Sequence, residues 1–105
     1  MKKQEKNILK KIKFILNSAV PDARVLLYGS RARGDSKSDS DWDIIVILDK
    51  SKIEPEDYET ISYPIYELGW ETDEHFSVKL YTKLEWQKRN FTPFFKNVEK
   101  DAVAL

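Results

Sequence analysis

The sequence predicts an α/β domain in which a small mixed β-sheet is flanked by helices. Three observations carry that prediction. Residues 4–19 space their apolar side chains at the three-to-four repeat of a helix with one buried stripe. Two short runs rich in aliphatic residues, RVLLY and WDIIVIL, read as strands, and a third at 75–81 alternates apolar with polar. Helical signals then fill the interval between the last two strands and the stretch after them, in keeping with an α/β arrangement. With 105 residues, no internal repeat and no low-complexity tract, the chain reads as one domain over residues 1–105.

In the first helix the stripe is Ile8, Leu9, Ile12, Phe14, Ile15 and Ala19, and Pro21 with Asp22 marks the turn that follows. Residues 24–28 then form a buried strand that stops at Gly29. Residues 29–40 (GSRARGDSKSDS) hold two of the three glycines and almost no apolar side chain, so they form either a functional loop or a linker. Residues 42–48 are the strongest strand signal, and a continuous apolar run of this kind belongs in the centre of a sheet covered on both faces. Residues 56–69 place Tyr58, Ile61, Ile65, Tyr66 and Leu68 at a mostly helical spacing that Pro64 should kink or interrupt. In 75–81, Phe76, Val78 and Leu80 alternate with His75, Ser77 and Lys79, the period of a half-buried strand. Thr82 with Glu85 is a capping-box signature for a short helix to about residue 90. Thr92 followed by Pro93 opens a last helix to about residue 101, with a short apolar tail behind it. Trp70, Trp86, Phe91, Phe94 and Phe95 either complete the core or form an oligomer or partner surface.

Composition excludes several chemistries. There is no cysteine, hence no disulfide framework, no thiolate metal site and no cysteine nucleophile. The longest apolar runs fall far short of the roughly 20 residues that span a bilayer, and the amino terminus has no signal-peptide core, so the expected location is cytoplasmic, without a membrane partner. Eighteen acidic and 18 basic residues sum to zero, which disfavours a general polyanion binder and makes nucleic acid an unexpected partner. The balance is uneven along the chain. Residues 1–24 hold seven cations (Lys2, Lys3, Lys6, Lys10, Lys11, Lys13, Arg24) and two acids (Glu5, Asp22), a surplus of five that the other 81 residues cancel. That lysine cluster is either a docking face for an acidic partner or polyphosphate, or a solvated helix face, the commoner case.

The informative segment is residues 28–46, YGSRARGDSKSDSDWDIIV. A strand that ends at Gly29-Ser30 and turns into a helix exposes backbone N–H groups, and a glycine lets a phosphate approach without a Cβ in the way. Ser30 adds a hydroxyl donor, and Arg31 and Arg33 add positive charge. Asp41 and Asp43 are two residues apart, so in an extended strand both carboxylates point to one face. Adjacent carboxylates repel unless a cation lies between them, and hard oxygen ligands of this type suit Mg²⁺ shared with substrate phosphates.

Gly29-Ser30-Arg31-Ala32-Arg33-Gly34, followed by Ser40-Asp41-Trp42-Asp43 and an apolar run, resembles the signature of the DNA polymerase β type nucleotidyltransferase superfamily, specifically its minimal nucleotidyltransferases. The resemblance extends in order and element type from the first helix to about Glu85. It implies the nucleotidyltransferase fold, with Gly29, Ser30, Arg33 and Ser40 holding a nucleoside triphosphate and Asp41 and Asp43 as catalytic ligands of Mg²⁺ or Mn²⁺. It implies transfer of a nucleoside monophosphate, AMP from ATP, to a hydroxyl of a protein or small molecule with release of pyrophosphate. It also implies a small helical HEPN-type partner in a toxin–antitoxin pair. A degenerate nucleotide- or partner-binding module is the alternative.

The family pattern has a third carboxylate on a later strand. Here the non-core face of 75–81 shows His75, Ser77 and Lys79 instead. Asp73 would lie on the correct face if that strand started early, and Glu74 on the other. His75 reads either as a base or ligand or as an incidental strand-edge residue. Lys79 beside the aspartates would lower divalent-ion affinity or pair with a phosphate.

Overall fold

The computed structural model describes all 105 residues. In chain order it contains α1 (Lys3–Ala19), β1 (Arg24–Tyr28), α2 (Ser30–Arg33), β2 (Trp42–Leu48) and α3 (Pro55–Asp57). A π-helical turn (Tyr58–Ser62), α4 (Tyr63–Thr72), β3 (Phe76–Thr82), α5 (Lys83–Gln87), α6 (Pro93–Asp101) and β4 (Val103–Ala104) follow. The sheet order is β3-β2-β1-β4; β2 and β3 run parallel, and the other pairs are antiparallel. This is the mixed α/β sheet flanked by helices that the sequence predicts.

β2 is interior because it is apolar on both faces. Ile44, Val46 and Leu48, with Val25 and Leu27 of β1, pack on Ile8, Ile12 and Leu16 of α1 and on Ile61, Ile65 and Leu68 of the π turn and α4. Ile45 and Ile47, with Leu26, face the opposite way and pack on Trp86 of α5 and Val98 of α6. By the two-residue repeat of a strand, Asp43 shares this second face with Ile45 and Ile47, beyond the end of its apolar patch.

Three features depart from the sequence reading. The tail is a fourth strand: Val103 and Ala104 pair with Leu27 and Leu26, and the Leu105 N–H donates to the Val25 carbonyl at 2.9 Å, covering the β1 edge. The α-helix is interrupted beside Pro64, as expected, but by a π turn in which Tyr63 N–H donates to the Tyr58 carbonyl; Pro64, with no N–H to give, sits in the first turn of α4 that follows. That helix also runs on to Thr72 and ends at Asp73 in the left-handed conformation. The aromatics divide. Trp86, Phe94 and Phe95 build the second core, whereas Trp70 and Phe91 stand in solvent.

Candidate functional site

The chain leaves β1 at Tyr28 and turns at Gly29 with φ +76°, a backbone state that disfavours any side chain. α2 starts immediately, with the Ala32 and Arg33 N–H groups both donating to the Gly29 carbonyl at 3.1 Å. The earlier N–H groups of this turn, at Ser30 and Arg31, precede the first bonded position, as helix starts require.

The loop from α2 back to β2 is held from beneath by Arg31. Its side chain is only 4% exposed, and its guanidinium donates to Glu5 at 3.0 Å and to the Ser40 carbonyl at 2.9 Å while lying 4.7 Å over the Trp42 ring. A buried charge needs such partners. Arg31 therefore belongs to the scaffold and not to an anion-binding surface. The Ser40 hydroxyl accepts from the Lys37 N–H at 2.8 Å, closing the turn that delivers Asp41. Arg33 stays exposed, paired with Asp35 at 3.4 Å.

Asp43 sits in register between Tyr28 on β1 and Ser77 on β3. Its carboxylate occupies the space that a Cβ on Gly29 would fill. Burial pushes the Asp43 carboxyl above its ordinary value and neighbouring Asp41 pushes it further, while Lys79 and Arg33 pull it back. Tyr28, half-buried beside it, is pushed up to about 12 by burial first and then by the Asp43 charge, and it remains a neutral hydroxyl across the physiological range. Phe94 meets Tyr28 edge-on at 5.6 Å, so α6 supports this corner.

No third carboxylate arrives. β3 puts Ser77 opposite Asp43 and exposes Lys79 on the same face, one pair further along. Glu74 is drawn to the other side of the sheet, where it accepts from Trp42 Nε1 at 3.4 Å and lies 3.7 Å from Arg31. The strand starts only at Phe76, so strand parity does not reach Asp73; that residue ends α4 and lines a cavity of about 340 Å³ with Tyr66, Trp70 and His75. Nowhere do three His, Asp or Glu side chains come together.

The structure thus brings Gly29, Ser30, Asp41 and Asp43 to one corner, with Arg33 and Lys79 acting through charge, and engages Ser40 in the loop. Glu5 was not legible as part of this arrangement, since its 26-residue separation from Arg31 leaves no local signal. Asp43, raised by burial and then by the charge of Asp41, and Asp41 itself are hard oxygen ligands of the type that fits a divalent cation, and the unbonded N–H groups at Ser30 and Arg31 fit an anionic ligand beside them.

The chain matches the family model described as a nucleotidyltransferase domain over residues 9–103. No curated protein matches it. No helix is long and apolar enough to cross a membrane.

Proposed function

The chain belongs to the nucleotidyltransferase-domain family, and from that premise we propose that it transfers AMP from ATP to a hydroxyl on a protein or small molecule, releasing pyrophosphate. The observation that supports this reading best is the Asp43 carboxylate seated against the bare Gly29 turn, which sets an acidic group directly beside the first, unbonded N–H groups of α2.

In this proposal each residue has a separate task. Gly29 and Ser30 bind the triphosphate through backbone N–H groups and the Ser30 hydroxyl, and Arg33 adds long-range positive charge. Asp41 and Asp43 would hold Mg²⁺ or Mn²⁺ through their carboxylates. When bound, that ion supplies neutralisation of the charge on the reacting phosphoryl group and the leaving pyrophosphate. Arg31 and Trp42 contribute rigidity, because a loop held from below positions Asp41 before the ligand arrives. The protein partner in this proposal is a small helical HEPN-type toxin, which this chain, as its antitoxin, modifies or neutralises.

The absent third carboxylate, with Lys79 exposed on the same strand face, favours one alternative: a module that binds nucleotide or partner without turnover. One experiment separates the two. Protein incubated with α-labelled ATP, Mg²⁺ or Mn²⁺ and a cell lysate, or a co-expressed partner, is expected to give a labelled product that Asp41→Ala and Asp43→Ala abolish. Nucleotide-dependent thermal stabilisation without any labelled product would leave the binding module standing and remove the enzyme.

A further inference from the structure

The outer surface of the helical layer, on the face of the sheet away from Asp43, is divided by charge. α1 carries Lys3, Lys6, Lys10, Lys11 and Lys13 against a single acid, Glu5, which is turned inward onto Arg31. The helical stretch from Pro55 to Thr72 carries Glu56, Asp57, Glu59, Glu67 and Glu71 and no Lys or Arg. Both stretches bury their inner stripes against one face of the sheet, so their outer poles point the same way.

Each pole also exposes aromatic surface. Phe14 on α1 is 75% exposed, and Trp70 on α4 is 72% exposed, packed edge-on against exposed Tyr63 at 6.1 Å. Aromatic groups this open, framed by charge, mark an interaction surface.

We propose that this surface is the interface of a homodimer, with the Lys10 and Phe14 face of α1 in one protomer packed on the Glu67 and Trp70 face of α4 in its partner about a two-fold axis. A second copy fits better than an acidic or a basic partner because both halves of the surface are matched at once. A two-fold axis makes each contact reciprocal, so the basic face of each protomer meets the acidic face of the other. An acidic partner or polyphosphate would satisfy only α1 and leave Glu56, Glu59, Glu67 and Glu71 facing it, Asp57 being paired with Lys50 at 2.8 Å.

Size sets the strength. A 17-residue α1 is about 25 Å long, and two helices abreast are about 20 Å wide. The footprint is then about 500 Å² per protomer, at the low end of specific interfaces, so the dimer is concentration-dependent and, being charge-driven, weakened by salt. Both nucleotidyltransferase corners remain open on the opposite faces.

Sedimentation equilibrium tests this without reference to turnover. The wild-type protein is expected to dimerise, with a dissociation constant that rises roughly tenfold or more between about 0.05 M and about 0.5 M salt. Lys6→Glu/Lys10→Glu and Glu67→Lys/Glu71→Lys, each folded by circular dichroism, should each be monomeric alone, because like charges then meet at both contacts. An equimolar mixture of the two should dimerise again, since both reciprocal contacts become complementary. A wild-type protein monomeric at high concentration and low salt, charge-reversed variants that still dimerise, or a mixture that stays monomeric would overturn the proposal.

Discussion

A β-carbon built on Gly29 falls on the carboxylate of Asp43, so the turn after β1 and the start of β2 share one space only because position 29 is bare. The obstructing atom is the end of a short side chain, which can rotate away. A substitution here therefore acts mainly on the acidic pair and only secondarily on the fold.

Gly29→Ala is expected to swing Asp43 off its position. At φ +76° and ψ −159° the backbone lies in a region open essentially only to glycine, so the substitution adds strain of about 1–3 kcal/mol. Urea unfolding should show that loss, while thermal stabilisation by ATP with Mg²⁺ disappears. A variant that keeps the full nucleotide-dependent shift would show that the close approach is incidental.

Lys79 lies on the site face of β3 and pulls the Asp43 carboxyl back toward its ordinary range. The same positive charge repels a divalent cation. Lys79→Asp should tighten Mn²⁺ binding by about tenfold or more, since it replaces a repulsive charge with a third hard ligand. Calorimetric titration of Mn²⁺ into the nucleotide-free protein measures this directly. Unchanged affinity would mean that Lys79 does not face the ion.

Much of this arrangement could be read in advance, and the remainder could not for physical reasons. Ile44 to Leu48 announces an interior strand because no exposed strand tolerates that run. The Asp41 and Asp43 spacing carries its own geometry. Arg31 reads locally as positive charge beside an anion, yet its partner is Glu5, and only folding brings α1 beneath the loop. β4 was invisible because two residues, Val103 and Ala104, have no period, and their strand character comes wholly from the edge of β1. The missing third carboxylate was legible as an absence at Ser77 and Lys79. What could not be foreseen is that Glu74 turns to Trp42 and Arg31 instead.

The Glu5–Arg31 pair gives the fold a pH dependence. Burial pushes the Glu5 carboxyl up, but hydrogen bonds from Arg31, the Lys2 N–H and Ser36 outweigh it and hold it below the ordinary 4.5. A carboxyl lowered in the folded state contributes stability that is fully present above the unfolded value and is lost as the pH falls through the folded one. Glu5→Gln should therefore cost about 1–3 kcal/mol at neutral pH, the usual worth of a charged hydrogen bond, and progressively less in acid. Denaturant unfolding at neutral pH and below pH ~4 checks the sign. A gap that widened in acid would contradict it.

Trp86 tests whether the second core supports the site. It is 1% exposed and packs against Tyr81, Phe94 and Phe95 at centroid distances of 5.3, 6.1 and 4.8 Å. Its indole Nε1 has no hydrogen-bond partner. Trp86→Ala opens a cavity beneath α5 and α6 and should cost about 3–5 kcal/mol, a fall of more than roughly 10 °C in Tm. Trp86→Phe removes the unpartnered donor along with one ring, so its cost should stay within about 1.5 kcal/mol. The consequence extends to chemistry through Phe94, which touches both Trp86 and Tyr28, and Tyr28 is the register partner of Asp43. At a temperature where Trp86→Ala remains folded, its Mn²⁺ affinity should drop while that of Trp86→Phe stays near wild type. Equal metal affinity in both variants would mean that α6 covers the sheet without positioning the acidic pair.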